Sequence, residues 1–224
     1  MNLKALIGAG LALALQAGGS FAHSRPPEAG FQLGLGLPAS DLARTAHNRA
    51  GFLAGGFVLV DLGEGHALRP RLDLADFKGT EAMRGTLSGL GGSGLLERTS
   101  RTSMVSVGLD YLHYFRGNPR HGLYVLGGLG FTCNEVKTSG RLTMEGTGAV
   151  LNGLRGTSST LRTAGQLGLG WQVNRTFGLE LRHQWHGTTS GWGNWALDGG
   201  GKRVFVANTS EKLRFTALAA TLKF

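Results

Sequence analysis

The sequence has a single cysteine, Cys133, so it can form neither an intramolecular disulfide nor a cysteine-rich zinc site. Only five of its 224 residues are proline, and the glycines follow no three-residue period, which excludes a collagen helix. Charged residues make up only 17%, while 41% of the chain is hydrophobic, which is too apolar for general disorder. Beyond its first residues, the chain has no apolar run of the roughly 18 residues that indicate a transmembrane helix.

The first 22 residues have the pattern of a secretory signal peptide. Lys4 supplies a positive charge, Ala5–Leu15 form a short apolar core, and small residues precede a predicted cleavage point after Ala22. We therefore expect a signal peptide over residues 1–22, a short periplasmic leader over 23–29, and one domain over 30–224. An exported chain without a membrane helix is soluble in the periplasm, secreted, or a membrane-spanning β-barrel.

The exported part alternates apolar with polar or glycine residues at a period of two, which predicts strands. Glycine is abundant, at 39 residues, and it shares the face opposite the apolar one with charged side chains. Eight strands are predicted: Gly30–Pro38, Gly51–Leu62, His66–Phe77, Thr102–Phe115, Gly122–Glu135, Leu161–Val173, Phe177–Gly187 and Leu213–Phe224.

The predicted connections alternate strictly between short and long. The short ones are Gly63–Gly65, Arg116–His121 and Asn174–Thr176, whereas the long ones are Ala39–Ala50, Lys78–Arg101, Val136–Thr160 and Thr188–Lys212. An antiparallel transmembrane barrel has this alternation, because one rim carries turns and the other carries loops. The sequence therefore predicts an all-β, eight-stranded, antiparallel up-and-down barrel that presents four long extracellular loops.

Two further sets of residues fit a barrel in lipid. The face opposite the apolar one is expected to line the lumen with a charge network of Arg69, Arg71, Asp73, Asp110, Arg162, Glu180 and Arg182. Aromatic residues near the periplasmic strand ends are expected to form an interfacial girdle, namely Phe31, Tyr114, Phe115, Tyr124, Trp171 and Phe177.

With these features the chain resembles the small eight-stranded outer-membrane barrels of the OmpA/OmpX type. The final residues Leu218–Phe224 look like the terminal strand of that class, in which a last phenylalanine, here Phe224, is the signal for the barrel assembly machinery. The resemblance implies a bare, monomeric barrel in the outer membrane, in contact with lipid and lipopolysaccharide, with no cofactor and no following peptidoglycan-binding domain.

One segment carries a candidate for catalysis. Outer-membrane lipid A deacylases share the eight-stranded form and use a His-x-Ser pair with an acid farther along, which here would match His186, Thr188 and Asp198. Thr replaces Ser in this pattern, and the alternative is that His186 is a polar lumen residue. The histidines show no metal-ligand spacing, so we predict no metal site.

The expected role is a structural or surface-interaction barrel rather than an enzyme. The alternatives are a narrow passive channel and, after it, a lipid A-modifying hydrolase. The formal charge of +9 does not indicate nucleic-acid binding in an exported barrel. The basic residues of the loops are instead candidates for pairing with lipopolysaccharide phosphates, or are ordinary solvated charges: Lys78, Arg84, Arg98, Lys202 and Arg203.

Overall fold

The computed structural model describes residues 26–45, 49–87, 92–115, 121–197 and 203–224, so the predicted signal peptide lies outside the described residues. Eight strands pair in chain order, and β1 closes on β8, so the fold class predicted from the sequence is confirmed. The strands are β1 Glu28–Ala39, β2 Gly51–Gly63, β3 His66–Leu87, β4 Gly92–Tyr114, β5 Gly122–Met144, β6 Val150–Gln172, β7 Phe177–Leu197 and β8 Arg203–Lys223.

The register fixes which side chains point outward. Phe31 of β1 stands opposite Gly56 of β2 and Leu222 of β8, and the alternation along each strand carries this assignment around the barrel. The outward face is a band of exposed apolar side chains: Phe31, Leu33, Leu35, Leu37, Phe52, Leu74, Leu109, Leu123, Leu129, Phe131, Leu161, Leu167, Leu169, Trp171, Leu181 and Leu218.

The inward face of the same strands is polar and charged. Arg69, Asp110, Glu180 and Arg182 are each 2% exposed or less. A soluble barrel would have the opposite arrangement, since it would bury its leucines and hydrate its charges. Closure leaves no unpaired strand edge in the band, as lipid requires, so the barrel spans a membrane.

Six strands continue well beyond the apolar band. β3 to β6 each contain 22 or 23 residues, whereas a tilted strand of about 9–11 residues crosses the hydrocarbon. The prediction that Lys78–Arg101, Val136–Thr160 and Thr188–Lys212 are loops is therefore wrong for most of these residues. Outside the lipid both faces of a strand are wet, so the apolar alternation that identifies strands in the sequence disappears.

The closed barrel opens above the band. β2 pairs with β3 only as far as Asp76, and β6 pairs with β7 only from Gly165 to Gln172. The outer parts of β3, β4, β5 and β6 remain paired with one another and form what we call the outer sheet, residues 77–87, 92–102, 136–144 and 150–158. β7 and β8 form a separate hairpin, which includes the strand at Arg203–Ala207.

A short helix, α1 (Ser40–Thr45), follows β1 at the outer end, within the predicted connection Ala39–Ala50. Its Leu42 is completely buried, and Asp41 Oδ2 accepts a hydrogen bond of 2.8 Å from the backbone N–H of Lys212. The helix therefore packs into the barrel mouth. In the described part of the chain, no helix is long and apolar enough to cross a membrane.

Candidate functional site

The lumen holds a buried charge network at its centre. The structure brings six of the seven predicted lumen charges together: Arg69, Arg71 and Asp73 from β3, Asp110 from β4, and Glu180 and Arg182 from β7. Residues two apart on one strand share a face, which is why β3 supplies three of them. Three arginines thus face three carboxylates, and the network is neutral as a set.

Arg69 donates four hydrogen bonds, more than either of the other two arginines in the network. Its Nε and Nη2 donate to Asp110 Oδ2 at 3.1 and 3.0 Å, and its Nη2 also donates to Glu180 Oε2 at 3.2 Å. Its Nη1 donates to the other Glu180 oxygen. The guanidinium lies 5.3 Å from the ring centroid of Phe57, and Tyr124 donates to Glu180 Oε1 at 2.5 Å. This arginine therefore joins β4 to β7 across the lumen.

Arg71 extends the network toward the outer end. It donates to Asp110 Oδ1 at 3.0 Å and pairs with Asp73. Two buried glutamines also donate hydrogen bonds to these carboxylates. Gln166 donates to Asp110 at 2.7 Å, and Gln32 donates to Asp73. Gln32 and Gln166 are not among the site residues predicted from the sequence, although their positions in the alternation place them on the inward face.

Arg182 is held differently. It is completely buried, its Nε lies 3.4 Å from Glu180 Oε2, and its Nη1 lies 4.0 Å from Asp73 Oδ2. Its three guanidinium nitrogens donate no hydrogen bond to a described residue. The charges around it therefore hold this side chain without directional bonds, in contrast to Arg69.

Glycines on the inward face make room for these long side chains. A Cβ added at Gly128 would stand 1.9 Å from Asp110 Oδ1, and one added at Gly55 would stand 2.4 Å from Asp73 Oδ1. A Cβ at Gly170 would meet the Tyr124 ring at 2.1 Å. The high glycine content thus has a packing reason, since a narrow lumen admits an arginine or a tyrosine only where the facing residue has no side chain.

His186 lies in a polar layer next to the charge network. Its Nδ1 is 3.2 Å from Thr132 Oγ1 and 3.3 Å from Ser106 Oγ, and its Nε2 is 3.1 Å from Gln184 Oε1. The ring stacks on Phe215 at 5.2 Å and is 2% exposed. This is the environment of a polar lumen residue.

Thr188, the second member of the catalytic candidate, is not bonded to this ring. The Thr188 carbonyl accepts a hydrogen bond of 2.8 Å from Arg162 Nε, and no polar contact between Thr188 and the His186 ring is found in the described residues. Asp198 lies outside the described residues. The described residues also contain no group of three or more His, Cys, Asp or Glu that could hold a metal ion.

Apolar side chains close the lumen on both sides of the polar layers. Toward the outer end, Phe77 and Phe215 pack with ring centroids 5.0 Å apart, in a buried cluster with Leu42, Leu53, Ala75, Met104, Leu213, Ala217 and Ala219. Toward the periplasmic end a second cluster contains Leu59, Ala67, Leu112, Tyr114, Tyr124 and Leu126. The charges therefore lie between two apolar layers.

Three of the predicted site residues lie elsewhere. Arg162 is exposed and bonded to Thr188, so it does not join the lumen network. Tyr114 and Tyr124 are buried inside the barrel with ring centroids 4.7 Å apart, because alternation turns their neighbours Phe115 and Leu123 outward. Of the remaining predicted interfacial aromatics, Phe31, Phe115 and Trp171 are exposed on the outer face, and Phe177 is half-buried.

No family model matches the chain, and no curated protein matches it. Solved structures of outer-membrane proteins are similar to it. A major outer membrane protein from Thermus thermophilus is 15% identical, with a TM-score of 0.49, over 89% of this chain and 100% of that one. Ail, the attachment invasion locus protein of Yersinia pestis, solved with the heparin analogue sucrose octasulfate, is 13% identical, with a TM-score of 0.47, over 88% and 99%.

A third is the N-terminal β-barrel domain of Pseudomonas aeruginosa OprF, 12% identical with a TM-score of 0.42, over 88% of this chain and 97% of that one. The fold rests on the closed eight-stranded barrel of this chain, which has the architecture expected from the predicted resemblance to small outer-membrane barrels.

Proposed function

We propose that this protein is a non-conducting barrel of the outer membrane that anchors the outer sheet at the cell surface, where the sheet contacts other surface molecules. The observation that carries the proposal is the contrast between a filled lumen and long strands outside the membrane. The lumen is filled by six buried charges between two apolar clusters, whereas β3 to β6 continue far beyond the apolar band. Export through the predicted signal peptide and assembly through Phe224 belong to the same proposal.

The exposed edge of the outer sheet supports an interaction role. β6 pairs with β5 from Val150 onward but with β7 only from Gly165, so among the described residues its outer part has a neighbouring strand on one side only. An unpaired strand edge presents backbone donors and acceptors to which an extended segment of another protein can add. The partner class that fits this edge is therefore an extended peptide segment.

A narrow channel is the second candidate, and the packing of the lumen argues against it. Conduction needs a continuous wet path, yet Arg69, Asp110, Glu180 and Arg182 are almost entirely inaccessible to solvent. Bilayer recordings of the refolded barrel test this point, with heat-dependent gel mobility as the check on folding. We expect no unit conductance steps, and reproducible steps would overturn the non-conducting assignment.

A shortened barrel tests the interaction role. Val136 of β5 and Ser158 of β6 stand directly opposite each other, so an Asn-Gly turn in place of residues 137–157 removes the upper hairpin and keeps the membrane register. Cells that display the full chain are expected to adhere to one another or to protein-coated surfaces more than cells with the shortened chain. Equal adherence of both, or none above barrel-free cells, would contradict the interaction role.

A further inference from the structure

The outer face of β3 to β6 changes character over three successive cross-strand rows. The last apolar row contains Leu74, Val105, Cys133 and Leu161, which stand opposite one another along the register. The next row is Asp76, Ser103, Glu135 and Ser159, and the one after it is Lys78, Arg101, Lys137 and Thr157. We call Lys78, Arg101 and Lys137 the cation row.

These rows share one face of the wall. Side chains directly opposite one another on paired strands lie on the same side, and residues two apart on a strand keep that side. Leu74 and Leu161 are each 48% exposed, while the side chains of Arg101 and Lys137 are 54% and 58% exposed. The cations therefore project outward four residues, or two rows, beyond the last apolar row along each strand.

The carboxylates of the preceding row, Asp76 and Glu135, neutralise part of the positive charge of the cation row. Asp76 accepts from Arg101 Nε at 2.8 Å and from Ser103 Oγ at 2.8 Å, and Glu135 lies 3.1 Å from Lys137 Nζ. Lys78 has no ion pair among the described side chains. Farther out, Arg141 and Arg155 lie on the same face, with Glu97 opposite Arg141. Positive charge thus exceeds negative charge on this face.

Three cations side by side on neighbouring strands are unfavourable by themselves. Like charges directly opposite each other on paired strands destabilise a sheet. An anion that contacts two of them at once relieves this repulsion. The Arg101 guanidinium, oriented by Asp76, presents remaining N–H groups in a fixed fork, and the two lysines are mobile point charges on either side.

We propose that the cation row binds the phosphate groups of phosphorylated lipid headgroups in the outer leaflet. The inference rests on the membrane placement within the proposed function. A lipid phosphate fits better than a soluble anion, because the row lies on the same outward face as the exposed leucines, two rows beyond the last of them. A lipid seated there contacts both surfaces at once, with its chains on Leu74 and Leu161 and its phosphate on the cations.

Nanodiscs provide the test. The full chain is incorporated in phosphatidylcholine nanodiscs that contain bis-phosphorylated lipid A, and native mass spectrometry counts the lipid A molecules retained after extraction. The variant carries Lys78→Gln, Arg101→Gln and Lys137→Gln. The control carries Arg49→Gln, Arg175→Gln and Lys212→Gln, which removes the same charge from exposed positions outside the row.

We expect the row variant to retain about tenfold less phosphorylated lipid A, because it lacks three partly paired cations near the membrane surface. The control should retain as much as the unaltered chain, and dephosphorylated lipid A should be retained poorly by all three. Inorganic phosphate in excess should not displace the lipid.

Equal retention by the row variant and the control would overturn the proposal, as would retention independent of the phosphates or displacement by free phosphate. Failure of the chain to enter nanodiscs would instead contradict the membrane placement.

Discussion

Gly128 of β5 stands directly opposite Asp110 of β4, and the Asp110 carboxylate occupies the space that a side chain at Gly128 would fill. That carboxylate accepts hydrogen bonds from Arg69, Arg71 and Gln166. Asp110, the central acid of the network, can therefore take this position only because residue 128 has no side chain. A methyl group at residue 128 has to move a fully buried charge.

The substitution Gly128→Ala is therefore expected to lower the free energy of unfolding by about 2–4 kcal/mol, because a displaced Asp110 loses charge-assisted hydrogen bonds in a buried site. Urea unfolding of the barrel in lipid vesicles measures the loss. Gly56→Ala is the matched control, since its added Cβ faces outward with its nearest atom 3.9 Å away. Equal midpoints for both variants would contradict this account of the glycines.

The sequence predicts the barrel wall well because lipid imposes a strict rule on it. Each membrane-crossing strand needs an apolar outward face, and this alternation places Arg69, Asp110 and Glu180 inside correctly. The rule no longer applies at the edges of the lipid. The outer sheet is wet on both faces, so its strands look like loops in the sequence. Tyr114 and Tyr124 are expected outside, in the interfacial girdle, although alternation turns them inward.

Contacts across the lumen cannot be predicted from alternation alone. Arg162 has a polar position in its strand, but it lies where β6 separates from β7 and is exposed there. Glu180 and Arg69 are far apart in sequence, and only the closed register brings them together. Which charges pair thus depends on strand stagger around the whole barrel, and no local pattern encodes that stagger.

The two most buried arginines are expected to differ in their contribution to stability. Arg69→Met leaves Asp110 and Glu180 without four hydrogen bonds, so we expect a loss of about 3–5 kcal/mol. Arg182→Met removes only the longer ion pairs to Glu180 and Asp73, so its loss should be clearly smaller. Urea unfolding of the two variants in the same vesicles measures this difference in stability. A larger loss for Arg182→Met would refute the ranking.

His186→Ala tests whether the histidine has a structural or a catalytic role. The ring stacks on Phe215 and contacts three buried polar side chains, so we expect its removal to cost about 2–3 kcal/mol of stability. Lipid A incubated with the unaltered barrel should keep all its acyl chains, as mass spectrometry of the lipid would show. Release of an acyl chain that disappears in His186→Ala would establish the hydrolase instead.

The last prediction concerns the outward band itself. Leu129 is 73% exposed in the middle of the apolar stretch of β5, between Leu123 and Cys133. In a water-soluble barrel Leu129→Arg would change little, because an exposed arginine is well hydrated. In a lipid bilayer the same change should cost about 2–4 kcal/mol near the midplane. Thr80→Arg, also outward but in the outer sheet and opposite the uncharged Thr99, should cost almost nothing. Vesicle unfolding that gives equal values for the two would mean that the exposed leucines do not face lipid, whereas a large cost for Leu129→Arg alone would place the membrane across the band and leave the outer sheet in water.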